Sequence, residues 1–468
     1  MRKLGAWRVV LSATAAAALA SCPVAMAEST ASSAAAGTSA TTTPNDGFVG
    51  WEKKLNDGGG EPEIAVGPHG APLLVAFNGC GIAVSGDSGA SFVVSPKHPA
   101  DPGPKPGDPY HNCSDPAATI GPGNVLYTGA GWWDTPGGAV DYYNMYVARS
   151  GDGGASWGKP VFATGDRAAP QQLLLGRNTG HTDRLFLTAD ASTGTLYATA
   201  TDFPRFVRWV VASHDGGATF GPPRAIDSPL YPEIPAAGGD YVPAAGNGVV
   251  AFAYVTSAAP GTTSCPCGVF ETSRNDGRTW TRYPTPFPAN WVAADPSHPG
   301  RFAIMSGQGV TATPAFSGAI AVSTTDDAGR TWSKPVLIGQ STSHPEIQPW
   351  IAYSPTGVLG VGYKTLYTAL ISQPQFFLEA LSGTLSYTYD FWTAVSFDNG
   401  RTFSQPLRVS NAVSPPGNAS GQDDFSSVAL DDNYLYAAWG DHRTSPTNPA
   451  PGSIAVYFAR VPLQAYSK

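Results

Sequence analysis

Charge is scarce in this sequence: only 13% of its 468 residues are Asp, Glu, Lys or Arg, and it has just four methionines and five cysteines. So thin a charged coat excludes long solvated helices and coiled coils, which are built from dense Glu, Lys and Arg. The 27 basic residues are outnumbered by 35 acidic ones, for a net charge of −8, and no Lys/Arg cluster interrupts the deficit. A nucleic-acid partner is therefore not expected. No Gly-rich phosphate loop, no Gly-x-Ser-x-Gly elbow and no His-Glu-x-x-His occurs, which removes the usual nucleotide, serine-esterase and zinc-protease readings. Beyond the N-terminal stretch there is no long apolar run, so the remainder is expected to be soluble.

Glycine and proline are plentiful, at 54 and 43 residues, and 42% of the chain is hydrophobic. That mixture describes many short strands joined by turns. At the N-terminus, Arg2, Lys3 and Arg8 flank and precede an apolar run that ends at a small-residue cleavage site, Ala25-Met26-Ala27. This is the pattern of an export signal over residues 1–27. Leu19-Ala20-Ser21-Cys22 also fits a bacterial lipobox, which would lipidate Cys22 and tether the protein to a membrane surface. Both processing routes stand, and both predict an exported chain, secreted or anchored at the bacterial cell surface. Residues 28–46, "ESTASSAAAGTSATTTPND", have almost nothing to bury and read as a disordered linker.

One short box recurs six times: "SGDSGASF" at residues 85–92, "SGDGGASW" at 150–157, "SHDGGATF" at 213–220, "SRNDGRTW" at 273–280, "TDDAGRTW" at 325–332 and "SFDNGRTF" at 396–403. Repetition at a period of this size indicates an array of like supersecondary units. Each box sits between alternating apolar runs, as a turn sits between strands. The Asp can accept hydrogen bonds from following amides, the Gly can take positive φ, and the last aromatic can plug the space between sheets. The boxes are given a structural role and no catalytic one, since a carboxylate held by turn amides is already satisfied.

Seven hairpins of two apolar strands around a Gly/Pro/Asn turn accompany the six boxes, from "EIAVGPHGAPLLVAF" to "SVALDDNYLYAAWG", and one more strand, "SIAVYFARV", follows the last. The missing outer strand is found at the other end of the domain. There "GWEKKL" at residues 50–55 matches "SWGKPV" and "TWSKPV", and Trp51 stands where a box aromatic would. The expected fold is an all-β, seven-bladed propeller over residues 47–463, with four-stranded antiparallel blades closed by the N-terminal strand. Six blades is the alternative count.

The boxes, five with Asp and one with Asn275, resemble the Asp-box, or bacterial neuraminidase repeat, of the sialidase-like propellers. The resemblance covers nearly all of residues 47–463 and implies the fold. It implies less about activity, because fold does not fix function. A sialidase of this kind uses an Arg-Ile-Pro near its first strand, two further arginines on the sugar carboxylate, an Asp acid/base and a Tyr nucleophile helped by Glu. Here the first strand reads "EPEIAVGP", with Glu61 and Glu63 and no arginine. Three readings follow: a glycan-engaging propeller acting as a glycoside hydrolase of unassigned linkage, a noncatalytic binding or scaffold propeller at the cell surface, and an exo-sialidase with a rearranged arginine cluster.

The resemblance places the boxes on one face of the disc and the long insertions on the other. At the openings of the inner strands on that loop-rich face, acidic residues recur: Glu63, Asp115, Asp183, Asp240 and the pair Asp423 and Asp424. Asp115, Asp183 and Asp424 are the candidate catalytic carboxylates. Glu63, Asp240 and Asp441, the nearest cations Arg184 and Arg443, and a stacking platform containing Trp132 and Trp133 are the candidate ligand contacts. Converging carboxylates repel unless something relieves them. No cofactor is called for with certainty, Ca²⁺ being the candidate cation, and the competing reading is that each Asp caps its own strand. Cys80 and Cys113 fall on adjacent blades of the loop-rich face and are expected to form a disulfide, as an exported chain permits. Cys265-Pro266-Cys267 either closes a small loop or offers two thiolates to a metal.

Overall fold

Runs that alternate or are wholly apolar, broken every few residues by Gly, Pro or Asn, form strands and tight turns throughout. A computed structural model describes residues 51–56, 59–104, 111–134, 141–165, 182–202, 207–226, 242–256, 267–306, 319–339, 346–367, 388–414, 426–443 and 454–467. Residues 1–46, on which the expected export signal, Cys22 and the expected linker fall, lie outside them.

Seven four-stranded antiparallel sheets are present. The seven-blade count is the observed one, and the six-blade alternative is set aside. In ring order the innermost strands are Glu63–Val66, His111–Gly121, Thr182–Ala189, Ala244–Gly246, Trp291–Ala294, Glu346–Tyr353 and Ser426–Leu430. Each touches the next, and the seventh touches the first. The blades are numbered 1 to 7 in that order.

Closure is by the two chain ends of the domain. Blade 7 takes its second and third strands from Tyr434–Asp441 and Ala455–Pro462, and its fourth from Trp51–Lys54, with Trp51 opposite Arg460 and Lys54 opposite Tyr457. Trp51 is 39% exposed, and its ring meets Phe458 edge-on at 6.3 Å with the Arg460 guanidinium 5.2 Å from its centroid. An ion-pair cluster fastens the seam. Arg443 grips Glu52 with both terminal nitrogens, at 3.1 and 3.0 Å, and its Nε lies 3.0 Å from Asp441. The guanidinium stacks 4.1 Å from the Tyr457 ring, and Glu52 also accepts the Asn411 amide.

The six boxes join the third and fourth strands of blades 1 to 6. In each, the leading Ser/Thr hydroxyl donates to the Asp or Asn carbonyl-type oxygen two residues on, at 2.7–3.0 Å. That same hydroxyl accepts the glycine amide four residues on. The Asp or Asn oxygen accepts the amide of the seventh residue at 2.8–2.9 Å. In Asp87, Asp152 and Asp215 the hydrogen bond from the hydroxyl of the seventh residue, Ser91, Ser156 or Thr219, followed by that residue's amide and the leading hydroxyl, holds the carboxyl down to about 2. Such groups stay ionised and have no proton to give, in keeping with a structural role.

The box also binds its blade to the preceding one. Gly89 has φ +81°, and a Cβ there would stand 2.5 Å from Phe458 of blade 7; at Gly400, φ +74°, it would stand 2.7 Å from Thr324 of blade 5. Glycine is required both for the left-handed turn and for the close approach. The box aromatics fill the same seams, Phe92 against Phe458 at 4.9 Å and Trp332 against Phe270 at 5.1 Å. The apolar core is accordingly a series of clusters shared by neighbouring blades, for example Val75, Tyr436 and Phe458 between blades 1 and 7.

Glu52, Asp441 and Arg443 are 5%, 1% and 14% exposed, so removing Arg443 strands two desolvated carboxylates. Arg443→Ala is expected to cost about 3 kcal/mol, read as a lower urea midpoint. Deletion of residues 47–56 is expected to lower it further, and an unchanged midpoint would mean that the seam does not hold the ring.

Candidate functional site

Seven inner strands facing one axis leave a channel, and its filling decides where chemistry can occur. Midway, Trp350 packs against Trp291 at 4.8 Å and against Phe186 at 6.3 Å. On the box side of Trp350 a largely apolar funnel of about 590 Å³ runs out between the hairpin turns. On the other side is a pocket of only about 10 Å³, lined by Glu61, Glu63, Asp115, Leu185, Phe186 and Trp350 together with Pro62 and Pro116. Such a volume holds about one water or small ion.

The small pocket is built from irregular backbone. Three inner strands slip register at this level, between Ser114 and Ala117, between Asp183 and Phe186, and between Ile347 and Trp350. Bulges of this kind re-aim side chains at the rim of a sheet. Glu61 and Asp115 both have left-handed backbone, at φ 48° and 49°, a conformation that costs a non-glycine residue about 1–3 kcal/mol. Asn78 bridges the two: its amide nitrogen donates to Glu61 Oε2 and its carbonyl oxygen accepts the Asp115 N–H at 3.0 Å. Asn78 is itself buried, with its own N–H given to the Gly60 carbonyl.

Two residues further on, Cys80 forms the expected disulfide with Cys113. The bond therefore ties the turn that carries Asn78 to the strand that carries Asp115, across blades 1 and 2. Cys265 lies outside the described residues and only the backbone of Cys267 is described.

Glu63 is buried and accepts the Ala118 N–H at 3.0 Å. Burial holds its carboxyl well above the ordinary value of 4.5, and the one backbone hydrogen bond offsets this only in part. Burial thus favours the protonated form of Glu63, and a protonated carboxyl beside two other acids would add no negative charge to the repulsion expected among converging carboxylates.

The structure brings together Glu63 and Asp115 among the sequence candidates. Asp183 and Arg184 lie in the slipped segment of blade 3, but their side chains, like that of Trp133, are outside the described ones. Asp240, Asp423 and Asp424 are outside the described residues altogether. Trp132 is 4% exposed, stacked on His111 at 4.9 Å and packed on Cys113, so it roofs blade 2 instead of offering a face to a sugar. Asp441 and Arg443 belong to the seam with Glu52, and neither lines the axial pocket. Among the described residues no group of three or more His, Cys, Asp or Glu side chains could hold a metal ion.

Asn78, Phe186 and Trp350 were not singled out from sequence. Asn78 had one available signal, its place in a turn next to a cysteine; Phe186 and Trp350 read as ordinary strand apolars.

The class these features define is a seven-bladed β-propeller with a plugged axis and an acidic mouth, in agreement with the resemblance read from the boxes. No family model and no curated protein matches the chain. Solved structures similar to it include a Hadza microbial sialidase, at 16% identity over 84% of this chain and 74% of that one, TM-score 0.44. Trypanosoma rangeli sialidase is similar at 14% identity over 87% and 59%, TM-score 0.44, and the phage phi92 endosialidase at 10% over 89% and 69%, TM-score 0.41. The chain thus spans 59% of the length of the Trypanosoma rangeli protein.

Glu63→Gln tests the neutral state. Because the folded value lies above 4.5, the folded chain keeps a proton the unfolded chain has lost, and this contribution to stability falls as pH rises, by at most about 1.4 kcal/mol per pH unit. The variant is expected to lose that slope, so its melting temperature relative to wild type rises from pH 5 to pH 7. Parallel profiles would mean that Glu63 is ionised in the fold.

Proposed function

We propose that this is an exported propeller that engages a glycan at the loop-rich mouth of its axis and cleaves a glycosidic bond there. The observation that carries the reading is the joining of Glu61, Glu63 and Asp115 on strained or bulged backbone, with Glu63 pushed by burial toward its protonated form. Glycoside cleavage needs one carboxylic acid and one carboxylate flanking the bond. Glu63 is suited to be the acid and Asp115 the carboxylate, with Asn78 as the positioning residue between Asp115 and Glu61. The Cys80–Cys113 bond suits an oxidising compartment and supports export, whether the chain is released after Ala27 or lipidated at Cys22.

A second reading, a noncatalytic glycan-binding propeller, is favoured by the hydrogen bond that Glu63 accepts from the Ala118 N–H of the neighbouring blade, which gives the carboxyl a structural partner. Sialidase activity is the weakest of the three. Arg443 is already paired with both Glu52 and Asp441, and the opening strand supplies glutamates where a substrate carboxylate would need a cation.

A panel of fluorogenic glycosides tests the reading. At least one uncharged glycoside is expected to turn over, with Glu63→Gln and Asp115→Asn each lowering kcat by about 100-fold or more at unchanged fold by circular dichroism. Asn78→Ala is expected to lower kcat less. Glycan binding without any turnover would favour the second reading; turnover of a sialoside abolished by Arg184→Ala would favour the third.

A further inference from the structure

The face opposite the acidic mouth carries a groove that neither the axis nor the closure uses. It lies between the boxes of blades 4 and 5, encloses about 320 Å³, and is lined in part by Arg274, Arg330, Tyr283, Asn247, Asp326 and Asp327. A volume of that order is at the lower end for small-molecule sites and far exceeds what a bare ion fills.

Its charges are unequally engaged. Asp327 accepts the Thr331 amide and hydroxyl and the Thr325 hydroxyl within its own turn. Asp326 is paired with the Arg301 guanidinium at 2.6 Å and accepts the Asn399 amide. Both carboxylates thus have their own donors. Among the described residues neither guanidinium of the groove is in an ion pair within 4 Å, although the Asp327 carboxylate acts on Arg330 from farther off. Arg330 is exposed; among the described residues its one hydrogen bond is a long one, 3.4 Å to the Tyr283 hydroxyl, and Arg274 is exposed, with no hydrogen bond or ion pair among the described residues.

Sequence favours the same side. Arg274 is the only basic side chain at the second position of any box apart from His214, and its box is the one in which Asn275 replaces Asp. The negative charge that five boxes place beside this position is therefore absent here. The remaining acid of that turn, Asp276, is taken by the His214 ring at 3.1 Å and the Tyr197 hydroxyl at 3.2 Å. Arg274 and Arg330, the partly exposed Tyr283 ring and the Asn247 amide together offer two planar forks, an apolar ring and a hydrogen-bonding rim.

We propose that this groove is a second carbohydrate site, for a saccharide bearing a carboxylate or sulfate. The anionic group is held by the Arg274 and Arg330 guanidiniums, whose forks match planar and tetrahedral oxyanions, and the sugar ring lies along Tyr283. The site is separate from the proposed axial chemistry and does not depend on it.

Calorimetric titration of the full exported chain with a galacturonate tetrasaccharide, a chondroitin sulfate tetrasaccharide and neutral cellotetraose tests the proposal and separates the two anion types. At least one acidic probe is expected to bind, cellotetraose is not, and affinity is expected to fall with added salt. Arg274→Ala and Arg330→Ala are each expected to weaken acidic-probe binding by about tenfold or more, Arg274→Lys less, and the double variant to abolish it. Glu63→Gln is expected to leave it unchanged, which distinguishes this groove from the axial mouth. Failure of both acidic probes to bind, wild-type affinity in the alanine variants, or equal binding of cellotetraose would each overturn the proposal.

Discussion

The seam at blade 7 is the constraint on which the other features depend. A propeller of separate blades has no axis until the last sheet is completed, and here completion requires the strand around Trp51 to pair with the strand around Phe458. The Glu52–Arg443–Asp441 cluster makes that pairing specific. Two carboxylates around one guanidinium, stacked on Tyr457, compensate each other's desolvation only when both chain ends are in place. A buried pair of this sort specifies geometry more than it adds net stability.

The boxes do for neighbouring blades what the seam does for the ring. Each spends its polar groups on its own turn and presents glycine and an aromatic to the blade before it. Their hydrogen bonds repeat within a few tenths of an ångström, while the residues they meet vary from Phe458 to Thr324. Variation of the box surface is therefore available without disturbing the turn, and Arg274 and Asn275 in blade 4 are an instance of it.

The axial mouth follows a different rule. Regular inner strands would have placed Asp115 and Glu63 on a smooth wall; instead three strands slip register, two acidic residues take left-handed backbone, and one acid is pushed by burial toward its protonated form. Local backbone strain is retained where surrounding structure over-determines it. Here the surrounding structure is the Asn78 bridge and the Cys80–Cys113 bond.

Much of this was legible from residues alone. The boxes, the seven hairpins and the Trp51 match pointed to seven blades, with six as the alternative, and to the closure, because each depends on short patterns in which Gly, Asp and an aromatic have one local solution; the disulfide followed from the blade positions these gave to Cys80 and Cys113. The site was legible only as a list of acids at strand openings. Nothing in one dimension says that Arg443 turns toward Glu52, that Trp132 lies under the blade 2 surface, or that Asn78 joins Glu61 to Asp115. Those outcomes depend on which side chains the closed ring brings within hydrogen-bonding reach and which it removes from water, and both are set by tertiary packing between segments tens to hundreds of residues apart.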